Sequence, residues 1–213
     1  RCPPSAIPPV QPIIVKHMYY RNSIFFEKKT KTCKTVASNF VAVLYRDLGD
    51  EYVTSRHPFT SDLEAFDEAL QQIEAKGGGD MPESMNQGLA EAVGGLKWRD
   101  GVAKVAFVIA DAPPHTDYQG DISYSRAAAS ALHQGIRIHA VAASGLNDLG
   151  SLVFRQVAQL TRGKFIFIEY GSVAASAADH GVTGSVHSNN LDAILYAQIR
   201  SEHYLNVHKL NLY

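Results

Sequence analysis

Short apolar runs alternate along the chain, from residue 40 onward, with stretches that carry apolar residues at helical spacing. Runs of this kind, rich in aliphatic and aromatic residues, are typical of strands. They predict strands at residues 40–45, 105–110, 136–142 and 165–168, with a short edge strand at residues 52–54. Because residues 105–110 are apolar throughout, we expect this strand to be buried on both faces in the interior of a sheet.

The segments between these strands predict amphipathic helices. The first helix is expected to begin with a capping box formed by Ser61 and Glu64. A second follows Pro82, and Gly163 ends a later one. The predicted helices span residues 63–73, 85–96, 123–133, 149–160 and 191–199.

This order of strands and helices predicts an α/β fold with a doubly wound, mostly parallel sheet and helices on both faces, as in Rossmann-like domains. We expect a single domain at residues 37–205, preceded by a Pro-rich and basic segment at residues 1–36 and followed by a tail at residues 206–213. Ligands of such sheets bind beyond the carboxyl ends of the strands, so the loops at that end are the place to look for function.

The first 36 residues differ from the rest in composition. Five prolines lie within residues 3–12, and four lysines lie within residues 28–34. Prolines fix φ and lack an amide donor, so one expectation is a loosely attached arm with few contacts. The alternative is a degenerate first strand around Ile13-Ile14-Val15 that pairs beside residues 105–110. The only cysteines, Cys2 and Cys33, allow at most one disulfide within this segment.

Charge and hydropathy exclude two classes of partner. The formal net charge is −1, with 20 Lys+Arg against 21 Asp+Glu, and no basic stripe with interleaved aromatic residues is present. We therefore expect no nucleic-acid partner. No apolar run approaches the length of a membrane span, so no membrane-spanning segment is expected.

Two carboxylates fall at positions where parallel sheets bind ligands. Asp111 directly follows the strand at residues 105–110, and Asp80 follows three glycines at residues 77–79. A carboxylate at the end of a buried strand needs a cation or hydrogen-bond donors to remain ionised. The simpler alternatives are that Asp80 caps the helix after Pro82 and that Asp111 accepts amide hydrogens within its own turn.

Three segments, in this order and on these elements, resemble the von Willebrand factor type A (VWA) domains of hemicentin-like and bacterial proteins. They are residues 39–50, which include Asp47 and Asp50; residues 78–83, which include Asp80 and Glu83; and residues 111–115, from Asp111 to His115. The resemblance covers about residues 37–205. It implies a module that binds another protein at the carboxyl end of its sheet, and it slightly favours a secreted or cell-surface location.

The resemblance also implies a metal-ion-dependent adhesion site built from three loops. Asp80 and Asp111 match the second and third loops, so their carboxylates are expected at the same end of the sheet, holding Mg²⁺, Mn²⁺ or Ca²⁺. An acidic residue of the partner protein often completes such a site. A rim for the partner is expected from Asp47, Asp50, Glu83 and His115.

The sequence departs from the family in the first loop, where an Asp-x-Ser-x-Ser motif is expected. Lys16 and His17 follow the candidate first strand instead, and Arg21 lies nearby, so metal binding is expected to be weak or absent. Residues 121–125 match the motif letter for letter, but they open a helix. Asp121 is therefore predicted to be the helix N-cap rather than a ligand.

We expect no enzymatic activity. No His-Glu-x-x-His motif, Gly-x-Ser-x-Gly motif or phosphate-binding loop occurs, and neither Ser84 nor Ser144 has an identifiable base. Two alternatives stay open. One is a metal-dependent hydrolase that uses the same acids, and the other is a degenerate VWA domain without binding activity.

Overall fold

The computed structural model describes residues 10–16, 39–73, 81–143, 145–168 and 191–210. Six strands form a sheet in the order β3-β2-β1-β4-β5-β6. Neighbouring strands are parallel, except that β3 lies antiparallel to β2 at one edge. The predicted α/β fold with a mostly parallel sheet is confirmed. The strands are β1 (Val10–Lys16), β2 (Phe40–Tyr45), β3 (Thr54–Thr60), β4 (Ala103–Ala110), β5 (Ile136–Ala143) and β6 (Phe165–Ile168).

Strand β1 lies in the middle of the sheet, between β2 and β4. Ile14 pairs with Ala42 of β2 and with Phe107 of β4. Part of the Pro-rich segment thus forms the first strand, as one of the two alternatives predicted. Pro12 precedes the first residue that pairs with β2, which limits the cost of its missing amide donor. Residues 1–9 and both cysteines lie outside the described residues.

Helices cover both faces of the sheet. Met85 and Leu89 of α2 pack on one face together with α3 and α4, whereas Phe66 of α1 and Leu195 of α5 pack on the other. Among the described residues, none of the helices combines the length and apolarity that crossing a membrane requires. The helices are α1 (Leu63–Gln71), α2 (Met85–Ala90), which continues into a π-helical turn (Glu91–Gly95), α3 (Tyr124–His133), α4 (Asp148–Leu160) and α5 (Leu191–Leu210).

Strand β4 shows why the two faces need separate cores. Val108 and Ala110 belong to the cluster under α2, α3 and α4, whereas Phe107 and Ile109 belong to the cluster under α1 and α5. Side chains alternate between the faces of a strand, so a strand with helices above and below must be apolar throughout. The interior position predicted for residues 105–110 is confirmed, because β4 pairs with β1 on one side and with β5 on the other.

Three boundaries differ from those predicted. Strand β3 runs on to Thr60 because a half-exposed edge strand tolerates polar residues and Pro58, which hide its pattern. The N-cap of α1 is Asp62 rather than Ser61, since the Asp62 side chain accepts hydrogen bonds from the amides of Glu64 and Ala65. Helix α5 continues to Leu210, inside the predicted tail.

Helix α2 packs unusually close to the end of β2. A Cβ atom added to Gly88 would lie 2.8 Å from Cδ1 of Tyr45, which is closer than carbon atoms approach. The glycine therefore lets the helix backbone lie directly against the tyrosine ring. This contact holds the segment just before α2 beside the carboxyl end of β2.

A buried ionic cluster holds α5 on the sheet. Nη1 of Arg137 donates to Oε1 of Glu202 at 2.7 Å, and Nε2 of His139 lies 3.7 Å from the same oxygen. Burial by itself raises the pKa of Glu202, but hydrogen bonds from His139 and Arg137 and their charges outweigh it and hold the pKa below its usual value. Glu202 is therefore expected to be ionised at neutral pH.

We expect Glu202→Gln to lower the melting temperature at neutral pH, because it removes the anion that faces Arg137. A depressed pKa in the folded state stabilises the protein above the unfolded pKa of about 4.3, and this stability is lost as the pH falls through the folded pKa. The difference between wild type and variant, followed by circular dichroism, should be full above about pH 5 and shrink below about pH 4. Glu68→Gln, on the exposed side of α1, is the control; a pH-independent difference for Glu202→Gln would contradict the assignment.

Candidate functional site

Polar side chains from three separate loops meet at the carboxyl end of the sheet. Asp47 follows β2, Ser84 precedes α2, and residues 115–118 lie in the loop that follows β4. Parallel strands end at the same edge, so loops distant in sequence are brought together there. Of these residues, Asp47 and His115 were expected in this region, whereas Ser84 and Tyr118 were not.

The Asp47 carboxylate is the centre of this arrangement. The hydroxyl of Tyr118 lies 2.9 Å from Oδ1 and 2.8 Å from Oδ2, and the hydroxyl of Ser84 donates to Oδ1 at 3.0 Å. Nε2 of His115 lies 3.4 Å from Oδ2. The Asp47 side chain is only 15% exposed, and the hydroxyls of Ser84 and Tyr118 replace water that a carboxylate would otherwise bind.

His115 connects this centre to a second acid. Its Nδ1 lies 2.9 Å from Oδ1 of Asp117, and its ring stacks on Tyr118 with the centroids 3.9 Å apart. The hydrogen bond from His115 is the main reason why the pKa of Asp117 is lowered. The backbone of His115 is held as well, since Nδ2 of Asn86 donates to the carbonyl of His115 at 2.9 Å.

The segment that leads into α2 is joined to the loop after β4 by its backbone. The amide of Glu83 donates to the carbonyl of Pro113 at 2.9 Å, and the amide of His115 donates to the carbonyl of Glu83 at 3.0 Å. Glu83 and Pro114 thus form a short parallel bridge. Backbone pairing of this kind fixes the position of Ser84 relative to His115.

Two further acids lie near the buried end of β2. Burial is the largest cause of a strongly raised pKa for Tyr45, and the nearby charges of Glu83 and Asp111 raise it further. Glu83 is 2% exposed, and Asp111 is half-buried. The buried Glu83 and the half-buried Asp111 therefore lie close to the tyrosine that Gly88 contacts.

The structure places the predicted site residues at different depths. Asp47, Asp50 and Asp111 are half-buried at the carboxyl end, whereas Glu83 and His115 are buried beneath the rim that they were expected to form. Asp80 lies outside the described residues. Within the part of the chain that the structure describes, no group of three or more His, Cys, Asp and Glu side chains is arranged to hold a metal ion.

The segment that matches the first-loop motif by letter opens α3. Ser123, and not Asp121, is the N-cap, because the Ser123 side chain accepts from the amide of Arg126. Oδ1 of Asp121 instead accepts a hydrogen bond from Nε2 of Gln87 at 2.9 Å. The prediction of Asp121 as the cap was wrong, since either residue type can cap a helix.

Sequence reasoning missed Tyr118 and Asp117, and it considered Ser84 only as a nucleophile. The signal that could have found the first two is the spacing within residues 115–118, which puts an imidazole, a carboxylate and a phenol in one short loop after a buried strand. Nothing local to Ser84 indicates its partner, because Asp47 lies 37 positions away in sequence.

A doubly wound sheet whose candidate site is built from loops at its carboxyl end defines the class of this domain. Residues 17–169 match a family model described as the von Willebrand factor A domain. The chain belongs to this family. No curated protein matches it.

Solved structures show the same fold at low sequence identity. BatB from Bacteroides thetaiotaomicron is 14% identical with a TM-score of 0.51, and the match covers 83% of this chain and 97% of that chain. The SpRpn10 VWA domain is 12% identical with a TM-score of 0.54, covering 78% and 90%. Proximal thread matrix protein 1 from the mussel byssus, whose structure has a zinc-occupied MIDAS motif, is 13% identical with a TM-score of 0.54, covering 82% and 44%.

We expect Tyr118→Phe to destabilise the domain by roughly 1–2 kcal/mol, because the phenylalanine keeps the ring but removes the donor to Asp47. For a chain of this size that corresponds to a melting temperature lower by about 2–8 °C. Tyr196→Phe, on the exposed side of α5, is the matched control and should change little. Equal melting temperatures for the two variants would show that the hydroxyl does not hold the loops together.

Proposed function

We propose that this domain is a non-enzymatic module that binds a partner protein at the carboxyl end of its sheet. The observation that carries the proposal is the combination of a hydrogen-bonded network with large apolar side chains left exposed around it. Leu48, Met81 and Ile122 are about half-exposed on the loops that the network joins. Exposed apolar residues next to polar groups are typical of protein-binding surfaces, and fixed loops lower the entropy cost of binding.

The contacts of Ser84 support the absence of catalysis. Its side chain is fully buried, and its hydroxyl donates to Asp47 rather than to a base. A nucleophilic serine needs access to substrate and a base that accepts its proton. The ring nitrogens of His115 face Asp47 and Asp117. This geometry favours a structural network over the alternative of a hydrolase.

We propose further that Mg²⁺ or Mn²⁺ binds weakly. Mg²⁺ requires six oxygen ligands in near-octahedral geometry, and no Asp-x-Ser-x-Ser motif follows the first strand to supply ligands from the first loop. Asp47 already accepts hydrogen bonds from Tyr118 and Ser84. These two observations support weak binding, and the proposed binding of a partner protein does not depend on a metal.

The proposed function is tested by capture on immobilised full chain, with extracts of the source organism. We expect proteins retained by wild type to be lost with Leu48→Ser/Ile122→Ser, because these substitutions remove apolar contact area from the proposed face. The matched control is Leu132→Ser/Leu160→Ser, whose leucines are similarly exposed near the ends of α3 and α4, at the opposite edge of the sheet.

Mass spectrometry identifies the retained proteins, and melting temperatures confirm that each variant is folded. Retention that both double variants reduce equally would contradict binding at the carboxyl end. If the immobilised chain retains no protein beyond those that the matrix alone retains, the degenerate domain without binding activity is favoured.

Weak metal binding predicts a small thermal shift. A ligand at ten times its dissociation constant stabilises by about 1.4 kcal/mol, so about 10 mM Mg²⁺ should raise the melting temperature by a few degrees at most if the dissociation constant is millimolar. Asp111→Ala should abolish this shift, whereas Asp121→Ala should keep it. A large shift in wild type that only Asp111→Ala loses would show that the metal site is complete.

A further inference from the structure

His115 is a buried histidine that lies between two carboxylates. Nδ1 of its ring is 2.9 Å from Oδ1 of Asp117, and Nε2 is 3.4 Å from Oδ2 of Asp47. Asp47 belongs to the loop after β2, whereas Asp117 belongs to the loop after β4, as His115 does. The imidazole therefore connects the two loops, because it contacts an acid of each.

The described elements around His115 add neutral groups to these two acids. Tyr118 stacks on the ring, and the side-chain amide of Asn86 donates to the backbone carbonyl of His115. The segment before α2 contributes through the Glu83 carbonyl, which accepts from the His115 amide, and through Ser84, which donates to Asp47. Of the charged groups that the structure describes, Asp47 and Asp117 are in contact with the imidazole.

Both contacts are favourable together only when each ring nitrogen carries a proton. An ionised carboxylate accepts hydrogen bonds and donates none. The hydrogen bond from His115 is the main cause of the lowered pKa of Asp117, so this acid is ionised except at low pH. A neutral imidazole has a single N–H, and its other nitrogen would present a lone pair to a carboxylate. Stacking on Tyr118 also favours a cation on the ring face.

We propose that His115 is a pH-sensitive link between the loops after β2 and β4. The protonated imidazole attracts Asp47 and Asp117 at once and holds the loops together. When the proton is lost, a lone pair faces a carboxylate, and the loops separate more readily. The protonated form stabilises the closed arrangement, so this stabilisation is full at mildly acidic pH and is lost as the pH rises and His115 releases its proton.

The link affects the surface at which a partner is proposed to bind. Leu48 directly follows Asp47, and Ile122 lies in the same loop as His115. Both apolar side chains are exposed, and their relative position is fixed while the loops are held together. A pH-dependent affinity for the partner rests on the proposed function, whereas the link itself is a property of the domain and is tested without a partner.

Amide hydrogen exchange of the full chain tests the link at about pH 5.5 and about pH 8.5, which bracket the usual titration of imidazole near 6.5. The reporters are the amides of Glu83 and His115, whose hydrogen bonds join the loop after β4 to the segment before α2. Their protection factors, corrected for intrinsic exchange, should fall severalfold at the higher pH. That of Phe107, inside β4, should change by a smaller factor, since it reports on the whole sheet.

Two variants and a control separate the link from other effects of pH. His115→Gln removes the titrating ring, so the severalfold difference at the reporter amides should disappear. Asp117→Asn changes an exposed side chain and removes one of the two acids, so the difference should shrink. The matched control is His133→Gln, which replaces an exposed histidine of α3 and should leave the difference as in wild type.

Equal protection factors of the reporter amides at the two pH values in wild type would overturn the inference. An equal difference in wild type and His115→Gln would also overturn it. If His115→Gln does not fold, Asp117→Asn decides, and a difference as large as that of wild type counts against the link. None of these results bears on the proposed function, which capture through Leu48 and Ile122 decides.

Discussion

A mostly parallel sheet has to be covered on both faces, and the other features of this molecule depend on that constraint. Strand β4 sends Val108 to one core and Phe107 to the other, so helices are needed above and below it. Helices α3 and α4 connect strands that run in the same direction, and the five parallel strands all have their carboxyl ends at the same end of the sheet. Loops that are distant in sequence therefore meet there, and a site can form between residues such as Asp47 and Tyr118.

Hydrogen bonds to the Asp47 carboxylate fix these loops relative to one another. A largely buried carboxylate without donors would cost several kcal/mol, and here Ser84 and Tyr118 supply hydroxyl donors from two other loops. Separation of the loops would leave an ionised group without its hydrogen bonds, so the network resists opening. The backbone hydrogen bond between His115 and Glu83 also holds these loops together.

The fold was largely predictable from sequence because burial on both faces leaves unbroken apolar runs, as in β4. Prediction failed where burial is partial. The polar edge strand β3 was predicted only at residues 52–54, whereas it runs from Thr54 to Thr60. It also failed at helix starts, where neighbouring residues such as Ser61 and Asp62 can both cap. Asp47 and His115 were predicted as surface residues of one region. Their depth and their contacts with Ser84 and Tyr118 depend on strand order, which no local pattern contains.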